Sequence, residues 1–344
     1  MSVRPWRSRL QGQSPNLLRV RAATPICAVA ALAIALLGSA VACAQGFPSR
    51  PVRLVVPVAA GGLRDVIARA MGPEFHRSAG QTLVVDNRTG GGGLIAGEIV
   101  ANATPDGYTL FMASGAEISI APALHPKLPY DPRTAFVPVT RLIDTPMLLF
   151  SAAALPVQSV KELVALAREK PGAIVFASSG PGSVSHLAQE LFAQRAGITF
   201  IHVPYRGAAL ALADIAAGRA SLLVTTVTSA KPLLDAGRVR ALAVAADKRT
   251  ASLPEVPTFE EAGVKGVDAP VWAGIMAPKG TPATIVSRLD GEFRQILANA
   301  EFKRLTTARD AQIAADGPAA FARMIREDMQ RWARVVSTAK VKLQ

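Results

Sequence analysis

Two short stretches carry residues that could hold an anion. The first, Pro57-Val58-Ala59-Ala60-Gly61-Gly62-Leu63-Arg64-Asp65, follows a β-branched run and opens a helical pattern. Two glycines let backbone approach a ligand closely, and a helix start offers unpaired N–H groups at the positive end of its dipole. The same residues also suit an ordinary strand-to-helix turn, with Asp65 supporting the helix start electrostatically. The second stretch, Ser178-Ser179-Gly180-Pro181-Gly182-Ser183-Val184-Ser185-His186, has the same character with hydroxyls added. One such loop in each half of a two-lobed chain could grip a carboxylate from both sides. Ser183 and His186 also raise a hydrolytic pair. No Gly-x-Ser-x-Gly elbow surrounds Ser183 and no acid partner is marked, so a packing or hydrogen-bonding histidine is the simpler reading.

Other chemistry is poorly served. Gly90-Gly91-Gly92-Gly93 sits at a strand-to-helix junction but lacks the context of a dinucleotide fingerprint or a phosphate-binding Gly-Lys-Ser/Thr loop. Its expected role is to let a helix start close to the site. His76, His125, His186 and His202 are dispersed without paired ligand spacing, so neither a metal nor another cofactor is expected. Asp86, Asp106, Asp131 and Asp214 sit beside turns, where local capping is the default.

These loops need a scaffold, and the bulk numbers bound it. The 344 residues are 50% hydrophobic and 18% charged, enough for one large or two medium globular domains. The formal charge is +13, but Arg4, Arg7, Arg9, Arg19 and Arg21 precede residue 45 with no acidic residue among them. Without them, 33 of the 38 basic residues face 25 acidic ones, a balance of +8. Scattered Lys and Arg with 5% aromatics argue against a nucleic-acid groove. Residues 1–44 read as an export signal: a basic segment to Arg21, an apolar run from Ile26 to Leu37, and cleavage after Ala42-Cys43-Ala44. Alternatives are a retained anchor or lipid attachment at Cys43. Cys27 and Cys43 are the only cysteines, so the remaining chain is expected to hold no disulfide.

Strand-like runs (Arg53–Val58, Thr82–Val85, Tyr108–Ala113) alternate with helical patterns (63–79, 93–101), and the rhythm repeats through residues 160–245. This βαβα order predicts mostly parallel sheets covered on both faces. From Pro282 the chain turns helical, ending in an amphipathic stretch at 319–337. Phe136–Phe150 and Val267–Pro278 are extended and Pro-containing and read as two crossings between lobes. Two crossings make the first lobe discontinuous, 45–146 with 271–344, and residues 147–270 the second.

Several further segments make the sequence similar to a known family. Phe47-Pro48-Ser49-Arg50-Pro51-Val52-Arg53, the 57–65 loop, Val85-Asp86-Asn87-Arg88, Pro105-Asp106-Gly107-Tyr108 and Leu128-Pro129-Tyr130-Asp131-Pro132 resemble the Bug family. The 178–187 loop, His202-Val203-Pro204-Tyr205-Arg206-Gly207, Leu253-Pro254-Glu255-Val256-Pro257-Thr258 and Ala277-Pro278-Lys279-Gly280-Thr281-Pro282 continue it. Those proteins are extracytoplasmic solute receptors of tripartite tricarboxylate transporters. The resemblance implies a two-lobed, type II Venus-flytrap α/β fold of two doubly wound sheets with crossover segments, located in the periplasm. It also implies capture of a small carboxylate (a dicarboxylate, amino acid or aromatic acid) by a monomer without catalysis. The implied partners are transporter membrane subunits or, on the alternative sensor reading, a histidine kinase's outer domain. The candidate binding set is Ala59, Ala60, Gly61, Gly62, Arg64, Asp65 and Ser114 in one lobe, with Ser178, Ser179, Gly182, Ser183, His186, Tyr205 and Thr226 in the other. Arg64 stands where the family carries Thr or Ser. It is expected to reach toward a ligand's second carboxylate, the alternative being an arginine directed to solvent.

Overall fold

β-branched runs and helical repeats alternate along the chain and sort into two sheets. The computed structural model describes residues 46–339, so the expected signal at 1–44 and both cysteines lie outside the described residues. One sheet holds β1 (Val52–Val56), β2 (Leu83–Asn87), β3 (Thr109–Ser114), β4 (Phe136–Thr145), β10 (Val271–Pro278) and β11 (Gln312–Asp316), in the order β11-β4-β10-β3-β1-β2. Around it lie α1 (Leu63–Ala79), α2 (Leu94–Ala101), a π-helical turn (Ala116–Ile120) leading into α3 (Ala121–Leu124), α8 (Ala283–Ala298), α9 (Ala300–Thr307) and α10 (Pro318–Ala339). The other sheet holds β5 (Leu148–Ala152), β6 (Val175–Ser178), β7 (Ile201–Pro204), β8 (Leu222–Thr225) and β9 (Val239–Val244), ordered β7-β6-β8-β5-β9. Its helices are α4 (Val160–Glu169), α5 (Val184–Ala196), α6 (Ala208–Ala216) and α7 (Val227–Asp235). The result is a two-lobed α/β fold.

Local chemistry sets the boundaries. Ser159 caps α4 by accepting the Glu162 N–H at 3.2 Å, and Gly80 and Gly197 end α1 and α5 in the left-handed conformation. The sheets are more mixed than the βαβα rhythm predicts. β1 is parallel to β2 and β3, and β6 to β7 and β8. The crossing strands reverse that direction: β10 is antiparallel to β3 and β4, and β5 to β8 and β9. A segment that leaves one lobe and returns must run antiparallel to its own return, and hydropathy does not report that.

The last helix ties the lobes together. At its start Phe321 is fully buried beside Trp272, ring centroids 5.4 Å apart, in a cluster with Phe111, Met276 and Ile325. Three turns later Trp332, Val335 and Val336 enter the other lobe's core with Leu187, Leu191 and Phe192. Gln194 of α5 reaches the Val335 carbonyl at 3.4 Å, and Trp272 donates to Asp328 at 2.9 Å. Gly274 in β10 has no space for a Cβ, which would overlap the Phe321 ring.

Two substitutions test this arrangement by urea denaturation. Gly274→Ala should cost roughly 1–3 kcal/mol by overpacking. Trp332→Ala should cost roughly 3–5 kcal/mol, and hydrogen exchange should speed up in β6 and β8 although the substitution lies in the last helix. Unchanged protection there would mean that α10 does not complete the second core.

Candidate functional site

Strand register orients the loops. Val271 pairs with Thr145 and Ala273 with Ser114, so β3 ends beside the point where β4 leaves its lobe, and parallel β1 points the same way. Only Pro146 and Met147 separate β4 from β5. Across the crossing Leu148 pairs with Thr225, so β8 also ends there, and β6 runs parallel to it. The loops after β1, β3, β6 and β8 therefore all lie at the carboxyl ends of parallel strands and at the crossing end of their sheets. Ligands bind at this edge in open α/β sheets.

In the first lobe the β1 loop is braced from within. Asp65, 2% exposed, accepts the Gly61 N–H at 2.8 Å, Arg69 Nε at 3.0 Å and Asn87 Nδ2 at 2.9 Å. The Arg69 guanidinium holds the Asp65 carboxyl below the usual carboxylate range, against the effect of burial. The Gly62 N–H goes to the Ala59 carbonyl at 3.2 Å. Both glycine amides are thus spent inside the loop. The amides of Ala59, Ala60, Leu63 and Arg64 have no hydrogen-bond partner among the described residues. Ala59 and Ala60 are exposed.

Arg64 does not point to solvent. Its side chain is 16% exposed, and Nη1 lies 3.0 Å from Glu117 Oε1 and 3.5 Å from the Met112 carbonyl. Glu117, in the π-helical turn after β3, is 1% exposed. Its other oxygen accepts the Ser114 N–H at 2.9 Å and the Ser114 hydroxyl at 2.6 Å. A Cβ on Gly93, which has φ 96°, would overlap this carboxylate. The loops after β1, β2 and β3 therefore converge on one buried carboxylate. Sequence reasoning missed Glu117, although one signal was present: histidine aside, it is the only charged residue between Asp106 and Lys127.

The second lobe builds its loop without charges. Ser183 caps α5, accepting the His186 N–H at 3.2 Å and donating to the Gly180 carbonyl at 2.7 Å. Gly182 N–H donates to His186 Nδ1 at 3.1 Å. That leaves the neutral ring's proton on Nε2, which is 3.7 Å from Glu190. The His186 ring stacks on His202 with centroids 3.9 Å apart, and His202 stacks on Phe176 at 4.7 Å. Ser178, fully buried, lies 2.7 Å from His202 Nε2. The β7 loop closes the group: Tyr205 N–H donates to the Ser178 carbonyl at 3.0 Å, and Gly207 N–H to that of Ser179 at 3.2 Å. The Tyr205 hydroxyl is turned to Asp214 at 2.7 Å. Thr226 caps α7 by accepting the Ser229 N–H at 3.3 Å.

The candidate residues thus form two sets. Ala59, Ala60, Gly61, Gly62, Arg64, Asp65 and Ser114 join through Asp65 and Glu117, while Ser178, Ser179, Gly182, Ser183, His186 and Tyr205 join through the stacked histidines, with Thr226 heading its own helix. Among the described residues no hydrogen bond links the two sets. The hydrolytic pairing is corrected: the ring of His186 takes a backbone N–H, and the Ser183 hydroxyl goes to a carbonyl, so the ring does not activate it. The described residues contain no cluster of three or more His, Cys, Asp or Glu that could hold a metal and no helix long and apolar enough to cross a membrane.

Known proteins resemble this chain in sequence and fold. Residues 67–341 match the family described as tripartite tricarboxylate transporter family receptor. Protein BugT of Bordetella pertussis is 33% identical over 322 residues, 93% of this chain and 99% of its own. The structure of R. palustris Rpa4515 with adipate is 36% identical, with a TM-score of 0.75, covering 86% of this chain and 99% of that one. The structure of the periplasmic binding protein BugD is 33% identical, with a TM-score of 0.72, covering 86% of this chain and 100% of that one.

The histidine stack gives a pH prediction. Burial lowers the His186 pKa from 6.5 to about 4, with His202 adding to the effect, so the unfolded chain binds an extra proton between those values. Stability from this site is present above pH 6.5 and is lost as pH falls toward 4. Burial raises Asp144 from 3.8 to about 6, which acts in the opposite sense: the folded state holds the extra proton, and stability falls as pH rises through that window. Replacing His186 by Asn should leave the second effect alone. The variant's stability at pH 4.5 relative to pH 7.5 should exceed the wild type's by on the order of 2 kcal/mol. Equal pH profiles by urea denaturation would show that the ring is not held neutral.

Proposed function

This chain belongs to the tripartite tricarboxylate transporter receptor family, and on that premise we propose that it captures a small organic carboxylate between its lobes for a transporter of that type. The observation that carries the reading is the pair of helix starts, α1 and α5, at the crossing ends of the two sheets with unpaired amides in their first turns. A carboxylate accepts hydrogen bonds only, and such amides give it donors without a competing cation's hydration. Adipate in Rpa4515 supports this ligand class. The proposed lobes are 45–146 with 271–344, and 147–270, closing on the ligand as a Venus flytrap. The proposed role is capture without turnover, in the periplasm after cleavage near Ala44, with release to membrane subunits. The lack of a ring contact on the Ser183 hydroxyl favours binding over hydrolysis.

Proline substitutions test the amides with little effect on the fold. Leu63 and Val184 are the first residues of α1 and α5, where proline is favoured, and the preceding Gly62 (φ −67°, ψ 157°) and Ser183 (φ −66°, ψ 158°) already have the extended backbone that proline requires. Leu63→Pro and Val184→Pro should change stability by less than about 1 kcal/mol. Each should weaken binding of the best carboxylate roughly 10–100-fold by calorimetry, the worth of one charge-assisted hydrogen bond. The ligand itself is found by thermal shift across a carboxylate library: at about 100 times its Kd it stabilises by ~2.7 kcal/mol. No shift with any carboxylate, or full affinity in both proline variants, would reject the reading.

A further inference from the structure

The pairing of Arg64 sets the charge that the site presents. Both Glu117 oxygens are committed, one to Arg64 and one to the N–H and hydroxyl of Ser114, and the carboxylate is packed against Gly93 at 1% exposure. It has no room to swing away and leave the guanidinium bare. The other charge in the β1 loop, Asp65, is likewise paired, to Arg69. In the second lobe residues 178–185 are uncharged, and burial keeps the His186 ring neutral at pH 7. Beside them Arg206, on the loop bracketed by the Tyr205 and Gly207 amides, is exposed and has no partner among the described residues.

We infer that the Arg64–Glu117 pair makes the site selective for monoanions: ligands with a single carboxylate and an uncharged polar or apolar remainder. The inference rests on the receptor reading above and narrows it. One carboxylate finds helix-start amides and the net charge of one exposed arginine. A second would leave water to meet a guanidinium already neutralised within a hydrogen-bond length, with Glu117 close behind it. An amide, hydroxyl or hydrocarbon end gives up far less hydration at the same place. Arg64 therefore acts as a donor held in position by Glu117, not as a free counter-ion.

The test uses acids matched in shape: succinate, adipate and terephthalate, each against its own monoamide, by titration calorimetry at pH 7.5. The wild type should bind the monoamides at least tenfold tighter. Glu117→Gln uncancels Arg64 and should reduce or reverse that ratio by at least tenfold, whereas the Arg64→Gln/Glu117→Gln pair should restore it. If Glu117→Gln does not fold, Arg64→Gln serves instead: it leaves Glu117 uncancelled, so both members of each pair should weaken, the diacid more. Diacids bound as tightly as monoamides by the wild type, or ratios unmoved in the folded variants, would overturn the selectivity alone. Failure of all six compounds, together with a silent carboxylate library, would instead overturn the receptor reading.

Discussion

A buried carboxylate is costly unless every lone pair is met, and Glu117 imposes that requirement on three loops at once. Removing such a group from water costs several kcal/mol, recovered only with close partners. Arg64 must come from the β1 loop, Ser114 must supply both of its donors at the end of β3, and the β2 loop must pass without a side chain at Gly93. Meeting this demand fixes how the carboxyl ends of β1, β2 and β3 stand relative to one another. The open first-turn amides of α1 therefore rest on a charge balance beneath them.

The second lobe reaches a similar outcome by other means. A column of Phe176, His202 and His186, with the buried Ser178 against His202, replaces the ion pairs. Burial lowers the pKa of both rings, and one His186 ring nitrogen accepts the Gly182 amide that would otherwise be free. Both lobes thus spend loop amides on their own rigidity and leave the first-turn amides of α1 and α5 open. A site organised in advance loses less freedom when a ligand arrives.

Much of this was legible in the residues. Gly-rich and Ser-rich strand-to-helix turns identify both loops because only small residues allow the backbone to bend and approach there, and the helix at Val160–Glu169 follows from its apolar spacing and the Lys170-Pro171-Gly172 stop. Glu117 stood out as a lone charge, but its pairing with Arg64, 53 positions away, was not legible. Nor was the commitment of the Gly61 and Gly62 amides, which depends on loop geometry. α7 escaped because Thr, Ser and Pro232 mask its periodicity. β11 escaped because an Ala-rich segment becomes a strand only through its pairing with β4, more than 150 residues earlier. For Arg64 and for β11, what stayed hidden was a long-range partner.

The reach of α10 into both cores bears on how the chain comes into being. Phe321 completes one hydrophobic cluster and Trp332 another, and both come after the strands of either sheet. Neither cluster is complete until this helix has been made, even though β5 to β9 are contiguous and could pair earlier. Both cores therefore depend on contacts between distant parts of the chain, the pairing of β4 with β10 and the docking of α10, which cost chain entropy before they repay it.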